Sequence, residues 1–172
     1  MSLIYTVVGT KLGWVGIARS VAGLCRATLP QTSFYSALAL LDDSSEKATA
    51  DSSAFGDLPD RLRRYFAGEP VVFPDELDMG SASSFRCAVW QATRSIPFGE
   101  TRSYRWVAEQ VGKPTAARAV GQALAANPLP ILVPCHRVIG SDGNLGGFGG
   151  SLEVKKWLLE MESSSSETKI VG

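Results

Sequence analysis

The sequence predicts an α+β protein: a small N-terminal antiparallel sheet with a helix, followed by a mostly helical C-terminal domain that contains a helix-turn-helix. Two observations carry this reading. The first forty residues, through "LIYTVVGTKLGWVGIARS" and "SVAGLCRATLP", alternate β-branched and aromatic residues with turn signals, the pattern of short strands. Beyond the acidic stretch "FPDELDMGSASS" the apolar residues switch to a helical period, so that stretch reads as a linker between two lobes. The expected division is residues 1–81 for the sheet-plus-helix lobe, 82–162 for a second domain, and 163–172, "SSSSETKIVG", for a disordered tail.

Each helix follows from its spacing. In "LPDRLRRYFAGEP" the residues Leu58, Leu62, Tyr65 and Phe66 share one face. Phe85, Ala88, Val89 and Ala92 stand at i, i+3, i+4 and i+7 before "IPFGET" breaks the segment, and Tyr104, Val107, Ala108 and Val111 repeat the pattern. After "GKP", Thr115 is positioned to cap a helix with Ala116, Val120, Ala123 and Leu124 inward, ending before Asn127-Pro128. Two short helices around a Gly-containing turn fit a helix-turn-helix, and on spacing alone an ordinary αα-corner fits equally. Ala117, Gly121 and Ala125 form a bare strip that allows close approach to the second helix. Arg118 sits in that helix's first turn, where a cation opposes the macrodipole. An external contact and a solvated surface arginine both remain open for it. The last helix is expected to bury Val154, Trp157, Leu158 and Met161, with Glu162 at its end.

Composition limits the function classes. The chain has 172 residues, 45% of them hydrophobic, enough to bury a real core, and no apolar run reaches the roughly 20 residues of a membrane span. The N-terminus lacks the basic and apolar regions of a signal peptide, so a soluble cytoplasmic protein is expected, nucleoid-associated in a prokaryote. Cys25, Cys87 and Cys135 form neither an even disulfide framework nor a C-x-x-C pair. One histidine and one early cysteine are too few to build a zinc site in the first lobe, and no metal is expected. Formal net charge is zero, but residues 82–137 carry seven Lys/Arg against two Asp/Glu while the flanks are acidic. A basic middle of that kind steers a polyanion or simply forms a solvated face.

The chemistry concentrates in "NPLPILVPCHRVIGSDGNLGGFGG". A cysteine becomes a strong nucleophile when a base takes its proton, and a histidine held by a carboxylate is the usual base. His136 follows Cys135 directly, so an extended strand would point the two side chains apart; the pair needs a turn or a bridging water. Glu162 is the candidate carboxylate, and together His136 and Glu162 are expected to depress the Cys135 pKa. An inert buried cysteine and an exposed terminal glutamate are the plain alternatives. The glycine-rich loop has neither Gly-Lys-Ser/Thr nor G-x-G-x-x-G between a strand and a helix, so it is no phosphate loop.

From Phe85 onward, about half of the chain, the sequence resembles the O6-alkylguanine-DNA alkyltransferase family. "IPFGETRSY", "AARAVGQALAANPLPILVPCHRVIG", "GGFGG" and "KKWLLEME" fall in the family's order and spacing, whereas the N-terminal lobe resembles it only loosely. The resemblance implies DNA repair by nucleotide flipping and irreversible transfer of the O6-alkyl group to a cysteine, one transfer per molecule, with no cofactor. It implies Cys135 as acceptor, His136 as base through a water, Glu162 as its orienter, Asn127 as a brace and Tyr104 as donor towards the departing guanine oxygen. Arg118 would fill the stack behind the flipped base, Ala117 and Gly121 would allow the approach, and Arg105 would contact phosphate. Tyr104, Leu124, Val138, Phe148 and Gly149 would line the alkylguanine pocket. Phe148 stands where a tyrosine is common and Gly149 where some members carry serine, so a hydroxyl contact is lost. The implied partner is duplex DNA bearing O6-alkylguanine, with O4-alkylthymine as a further candidate lesion, bound by a monomer away from any membrane. The rival readings are a non-catalytic sensor of alkylguanine and a cysteine hydrolase. Silent relatives lack the cysteine, and a hydrolase has no need of a basic helix-turn-helix.

Overall fold

In a computed structural model of the protein, residues 2–41, 47–145 and 152–171 are described. The chain divides into two compact units, Met1–Gly80 with Pro128–Pro130, and Ser81–Asn127 with Ile131–Gly172. Phe148 and Gly149 lie outside the described residues.

The first unit is built on a hairpin. Strands β1 (Leu3–Thr10) and β2 (Gly13–Arg19) pair antiparallel from Ile4 against Arg19 to Thr10 against Gly13, and β3 (Leu24–Ala27) adds antiparallel to β2. The sheet is nevertheless mixed, because β4 (Ala48–Ala50) pairs parallel to β1 and gives the order β3-β2-β1-β4. Helix α1 (Phe34–Leu41), capped where Ser36 N–H donates to the Ser33 hydroxyl, was hidden in a stretch read as strand. Helix α2 (Leu58–Phe66) buries the four residues its spacing selects, Leu58, Leu62, Tyr65 and Phe66, and packs on β1, with Val8, Val15 and Ile17 buried in the same unit. Each such side chain contributes about 1.5–3 kcal/mol on burial.

The acidic stretch has structural duties. Asp75 receives a two-pronged bond from Arg61 at 2.7 and 2.9 Å, and Leu24 bridges Leu77 in parallel while its N–H donates to the Glu76 carbonyl. Ser20 donates to Asp78, whose carboxyl is held low by that hydroxyl and by the Gly80 N–H. What reads as a linker therefore runs along the β3 edge.

The second unit contains α3 (Ser84–Arg94), α4 (Tyr104–Gln110), α5 (Ala117–Ala125) and α6 (Leu152–Val171), plus a two-stranded parallel clip of β5 (Arg102–Ser103) and β6 (Val138–Ile139). Ser83 caps α3 by accepting from Arg86 N–H, and Ser103 caps α4 by accepting from Trp106 N–H. Helix α5 has no such device: its N-cap is Ala116 and no side chain caps it, so the role expected of Thr115 is not met. The buried face of α3 is Val89, Trp90 and Thr93, rotated from the expected one, because Trp90 turns inward and its indole N–H donates to the Ala123 carbonyl at 2.9 Å. On α5, Val120, Ala123 and Leu124 are buried as expected.

Helix α6 departs most from expectation. Its fully buried positions are Lys155, Leu158 and Glu162, at i, i+3 and i+7, while Val154, Trp157 and Met161 are half-buried. It also continues to Val171 where a disordered tail was expected, since neither Gly nor Pro interrupts residues 152–171. Among the described residues no helix is long and apolar enough to cross a membrane.

Trp90 yields a test of the packing between α3 and α5. Trp90→Phe leaves the Ala123 carbonyl without its buried donor and should cost about 1–3 kcal/mol. Urea unfolding should show a lower midpoint at unchanged slope, and an unmoved midpoint would remove the bond from the structure's support.

Candidate active site

The PCHRV segment forms a single 3-10 turn over Cys135–Arg137, with every residue from Ile131 to Val138 buried. This turn resolves the problem posed by adjacent Cys135 and His136, because successive side chains no longer alternate across a strand. The β5–β6 clip then fixes its neighbour. Ser103 pairs with Ile139, which brings Tyr104, the first residue of α4, beside the cysteine turn.

Cys135 is 7% exposed. The Asn127 amide, at the end of α5, donates to the Val133 carbonyl at 2.9 Å and towards the Cys135 sulfur at 3.3 Å. Burial pushes the thiol's pKa up, outweighing the Asn127 amide, the Lys155 ammonium and the backbone N–H groups of Cys135 and His136, all of which favour the thiolate. The expectation that His136 and Glu162 would depress this pKa is thus corrected: desolvation dominates, and the resting group is a protonated thiol.

Behind the cysteine, His136 is wholly buried and its Nε2 lies 2.6 Å from Glu162 Oε2. Glu162 also accepts from Arg137 Nε at 2.8 Å and Nη2 at 3.2 Å, and from the Gly99 backbone N–H at 3.2 Å. Arg137 donates its remaining arm to the Ile96 carbonyl at 2.8 Å and stacks over Phe98. Burial alone would raise the Glu162 pKa, but the bonds and charges of His136 and Arg137 overcome it and hold the carboxyl at about 2. Burial pushes His136 the other way, below its ordinary value, against the pull of Glu162 and with help from Arg137 and Lys155. At neutral pH the pair is therefore an ionised carboxylate and a neutral imidazole. A carboxylate only accepts, so Nε2 carries the proton and Nδ1 carries the lone pair of a base.

Lys155 and Arg137 were not singled out from the sequence, and both belong to this cluster. Lys155 is fully buried; its ammonium donates to the Val138 carbonyl at 2.8 Å and to the Leu145 carbonyl, and it lies over the Tyr104 ring. Burial lowers its pKa to about 8 despite the opposing influence of Cys135. It clamps both ends of the 138–145 turn, where Gly143 takes the positive φ that the Asp142-Gly143 sequence announces. Lys155, Leu158 and Glu162 share one helical face.

The expected DNA-facing residues group on α4 and α5. Arg118 is exposed in the first turn of α5, Ala117 and Gly121 are half-buried beside it, and Arg105 is exposed on α4 and paired with Glu109 at 3.4 Å. The strip is not wholly bare, since a Cβ on Gly121 would meet the Tyr104 ring at 3.8 Å in ordinary contact. Tyr104 is half-buried, and burial together with Cys135 raises its pKa, so its phenol keeps its proton. Leu124 and Val138 are buried in the same unit.

A buried cysteine, an oriented imidazole and a helix-turn-helix thus share one unit. Residues 84–164 match the family model described as 6-O-methylguanine DNA methyltransferase, DNA binding domain. A constitutive methylated-DNA–protein-cysteine methyltransferase of Bacillus subtilis is 40% identical over 166 residues, covering 96% of this chain and 98% of the relative. The chain belongs to the methylated-DNA–protein-cysteine methyltransferase family. The family's Mycobacterium tuberculosis member is 52% identical over 116 residues, covering 67% of this chain and 70% of its own. A crystal structure of Mycobacterium tuberculosis OGT in complex with DNA superposes with a TM-score of 0.78 at 42% identity, covering 94% of each chain. This methyltransferase fold thus includes the first unit, which the Bacillus subtilis relative also matches in sequence.

Two variants test the electrostatics of the methyltransferase site. Glu162 has a folded pKa below its unfolded value, so its contribution is complete above pH 4.5 and lost as pH falls towards about 2. That contribution is on the order of 3 kcal/mol, and Glu162→Gln should flatten the acid limb of stability measured by urea unfolding across this window. An acid limb as steep as that of wild type would show that Glu162 does not carry it. Lys155→Met should move thiol alkylation by a small electrophile to higher pH, because a cation favouring the thiolate is gone; an unchanged profile would place Lys155 outside the cysteine's field.

Proposed function

We propose that Cys135 is the alkyl acceptor of a single-turnover DNA repair protein that reverses O6-alkylguanine in duplex DNA. The observation that carries this reading is the cluster of half-buried Asn127 with buried Cys135, His136 and Glu162, in which an ionised carboxylate fixes a neutral imidazole next to a thiol in sequence. Cysteine hydrolases also place imidazole beside thiol, but the family match and the exposed Arg118 on a helix-turn-helix favour a DNA substrate. A non-catalytic sensor has no use for the acceptor cysteine, which is present here.

The chemistry follows from the charge states. The flipped base enters between Tyr104, Leu124 and Val138. His136 Nδ1 takes the thiol proton through a bridging water, and Lys155 and the Asn127 amide stabilise the sulfur anion as it forms. The sulfur electron pair then forms a bond to the alkyl carbon, the carbon–O6 bond breaks, and its electron pair leaves on the guanine. Tyr104, still protonated, donates towards that guanine. The product is a thioether with no group for water to expel, so the cysteine is spent. A thiol held protonated until the base arrives also resists alkylation by stray electrophiles.

Outside the pocket, Arg118 takes the place of the flipped base in the stack, Ala117 and Gly121 admit the backbone to the groove, and Arg105 engages phosphate. The substrate is bound by a monomer, and O4-alkylthymine fits the same leaving-group logic.

Incubation with duplex carrying O6-methylguanine should add one methyl to Cys135 by intact-mass and peptide spectrometry, and Cys135→Ser should add none while retaining DNA affinity. A methyl on Cys25 or Cys87 would contradict the acceptor assignment. Arg118→Ala should slow transfer from duplex even at saturating protein, yet react with free O6-benzylguanine at the wild-type rate. Equal slowing with the free base would give Arg118 a role in the pocket instead of the stack.

A further inference from the structure

Ile131 adopts φ 76°, the left-handed region, and is the one non-glycine residue among those described to do so. For a β-branched residue this is strained backbone, since the Cβ crowds the adjacent carbonyl. It is also 2% exposed, with Leu129, Leu132 and Val133 equally buried around it in sequence. Glycine would take this conformation freely, so the isoleucine is held there by the burial of its own side chain.

The position gives the strain a consequence. Ile131 is where the chain re-enters the second unit after Pro128–Pro130, and it lies two residues before Val133. The Val133 carbonyl accepts from two donors, the Asn127 amide at 2.9 Å and the Cys135 backbone N–H at 2.7 Å. The second bond spans Pro134 at φ −78°, ψ 65°, an inverse γ-turn that places the cysteine. Asn127 is itself tied to the end of α5 through its N–H to the Leu124 carbonyl. A return of Ile131 to negative φ would rotate the peptides that follow, take the Val133 carbonyl away from Asn127, and shift the sulfur that Asn127 holds at 3.3 Å.

We propose that Ile131 is a positioning residue for alkyl transfer: its left-handed backbone, enforced by its buried branched side chain, sets the Val133 carbonyl and through Asn127 the location of the Cys135 sulfur. The inference rests on Cys135 being the acceptor. It deepens that reading by placing a geometric determinant four residues upstream, with no contact to the alkylguanine required.

A series at position 131 separates conformation from packing. Ile131→Val keeps the branched anchor, Ile131→Ala keeps the Cβ penalty without the anchor, and Ile131→Gly loses the side chain but accepts the left-handed backbone without strain. The probe is free O6-benzylguanine in single turnover at saturating concentration across pH, with the half-saturating concentration for duplex DNA measured alongside. A conformational role orders the rates Val, Gly, Ala. Valine and glycine should stay within about tenfold of wild type. Alanine should fall by on the order of 10²-fold, the scale of an ångström's misplacement, with a profile moved to higher pH and an unchanged half-saturating DNA concentration. A packing role alone orders them Val, Ala, Gly by volume retained, and that order, or an alanine profile coincident with wild type, overturns the proposal. Should Ile131→Ala fail to fold, Ile131→Gly decides: a wild-type pH profile within tenfold of the wild-type rate supports the proposal, and any other result overturns it. Wild type that gains no adduct on Cys135 sinks the acceptor reading and this inference together, whereas an adduct with the packing order removes Ile131 alone.

Discussion

The carboxylate of Glu162 is the interaction on which the second unit depends. It gathers an imidazole, a guanidinium and a backbone N–H from two separate stretches of chain: the cysteine turn, which supplies His136 and Arg137, and the turn after α3, which supplies Gly99. A buried anion is costly by itself, and here the bonds and charges of His136 and Arg137 offset the cost so that the carboxyl is held at about 2. The same bonds determine the chemistry. Because the anion accepts from Nε2, the proton is fixed on that nitrogen and the lone pair is turned to the other side of the ring. On the proposed mechanism fold and function share one group, which makes its loss expensive for both.

A second constraint acts on the cysteine from the opposite direction. Asn127, at the end of α5, reads the position of the Val133 carbonyl and of the sulfur together, so the helix-turn-helix and the nucleophile are joined by two hydrogen bonds from one amide. Lys155 performs the parallel task for the 138–145 turn, holding its two ends through the Val138 and Leu145 carbonyls while its charge reaches the thiol. Burial keeps the thiol protonated, and these neighbours make the thiolate accessible only on demand. That balance suits a protein that reacts once and gains nothing from a permanently ionised nucleophile.

Much of this was legible in the sequence. Apolar spacing located α2, α4, α5 and the core of each, and the "PCHRV" motif with Asn127 upstream and Glu162 downstream named residues that the structure brings together. What escaped did so for physical reasons. A search for apolar stripes assigns buried positions to Val154, Trp157 and Met161, whereas α6 turns Lys155 and Glu162 inward, a choice intelligible only once their partners are known. The three-residue strand β4 is too short to announce itself or its parallel pairing, and the serine cap of α1 lay in a stretch whose composition also suits strands. The strained backbone of Ile131 has no sequence signature, because every local preference opposes it. The pKa of Cys135 was misjudged for a related reason: adjacency to a base shows in sequence, desolvation does not.

The protein contains a single histidine, which allows a direct test of the charge state at the centre of the site. Nitrogen-15 NMR of the histidine-labelled protein reports tautomer and protonation at both ring nitrogens as pH is varied. Wild type should show a neutral ring with the proton on Nε2 at neutral pH, and charging should begin only below the ordinary histidine range. An imidazolium at neutral pH, or a neutral ring protonated on Nδ1, would mean that Glu162 does not prepare His136 to act as the base, and the activation of Cys135 would need another source.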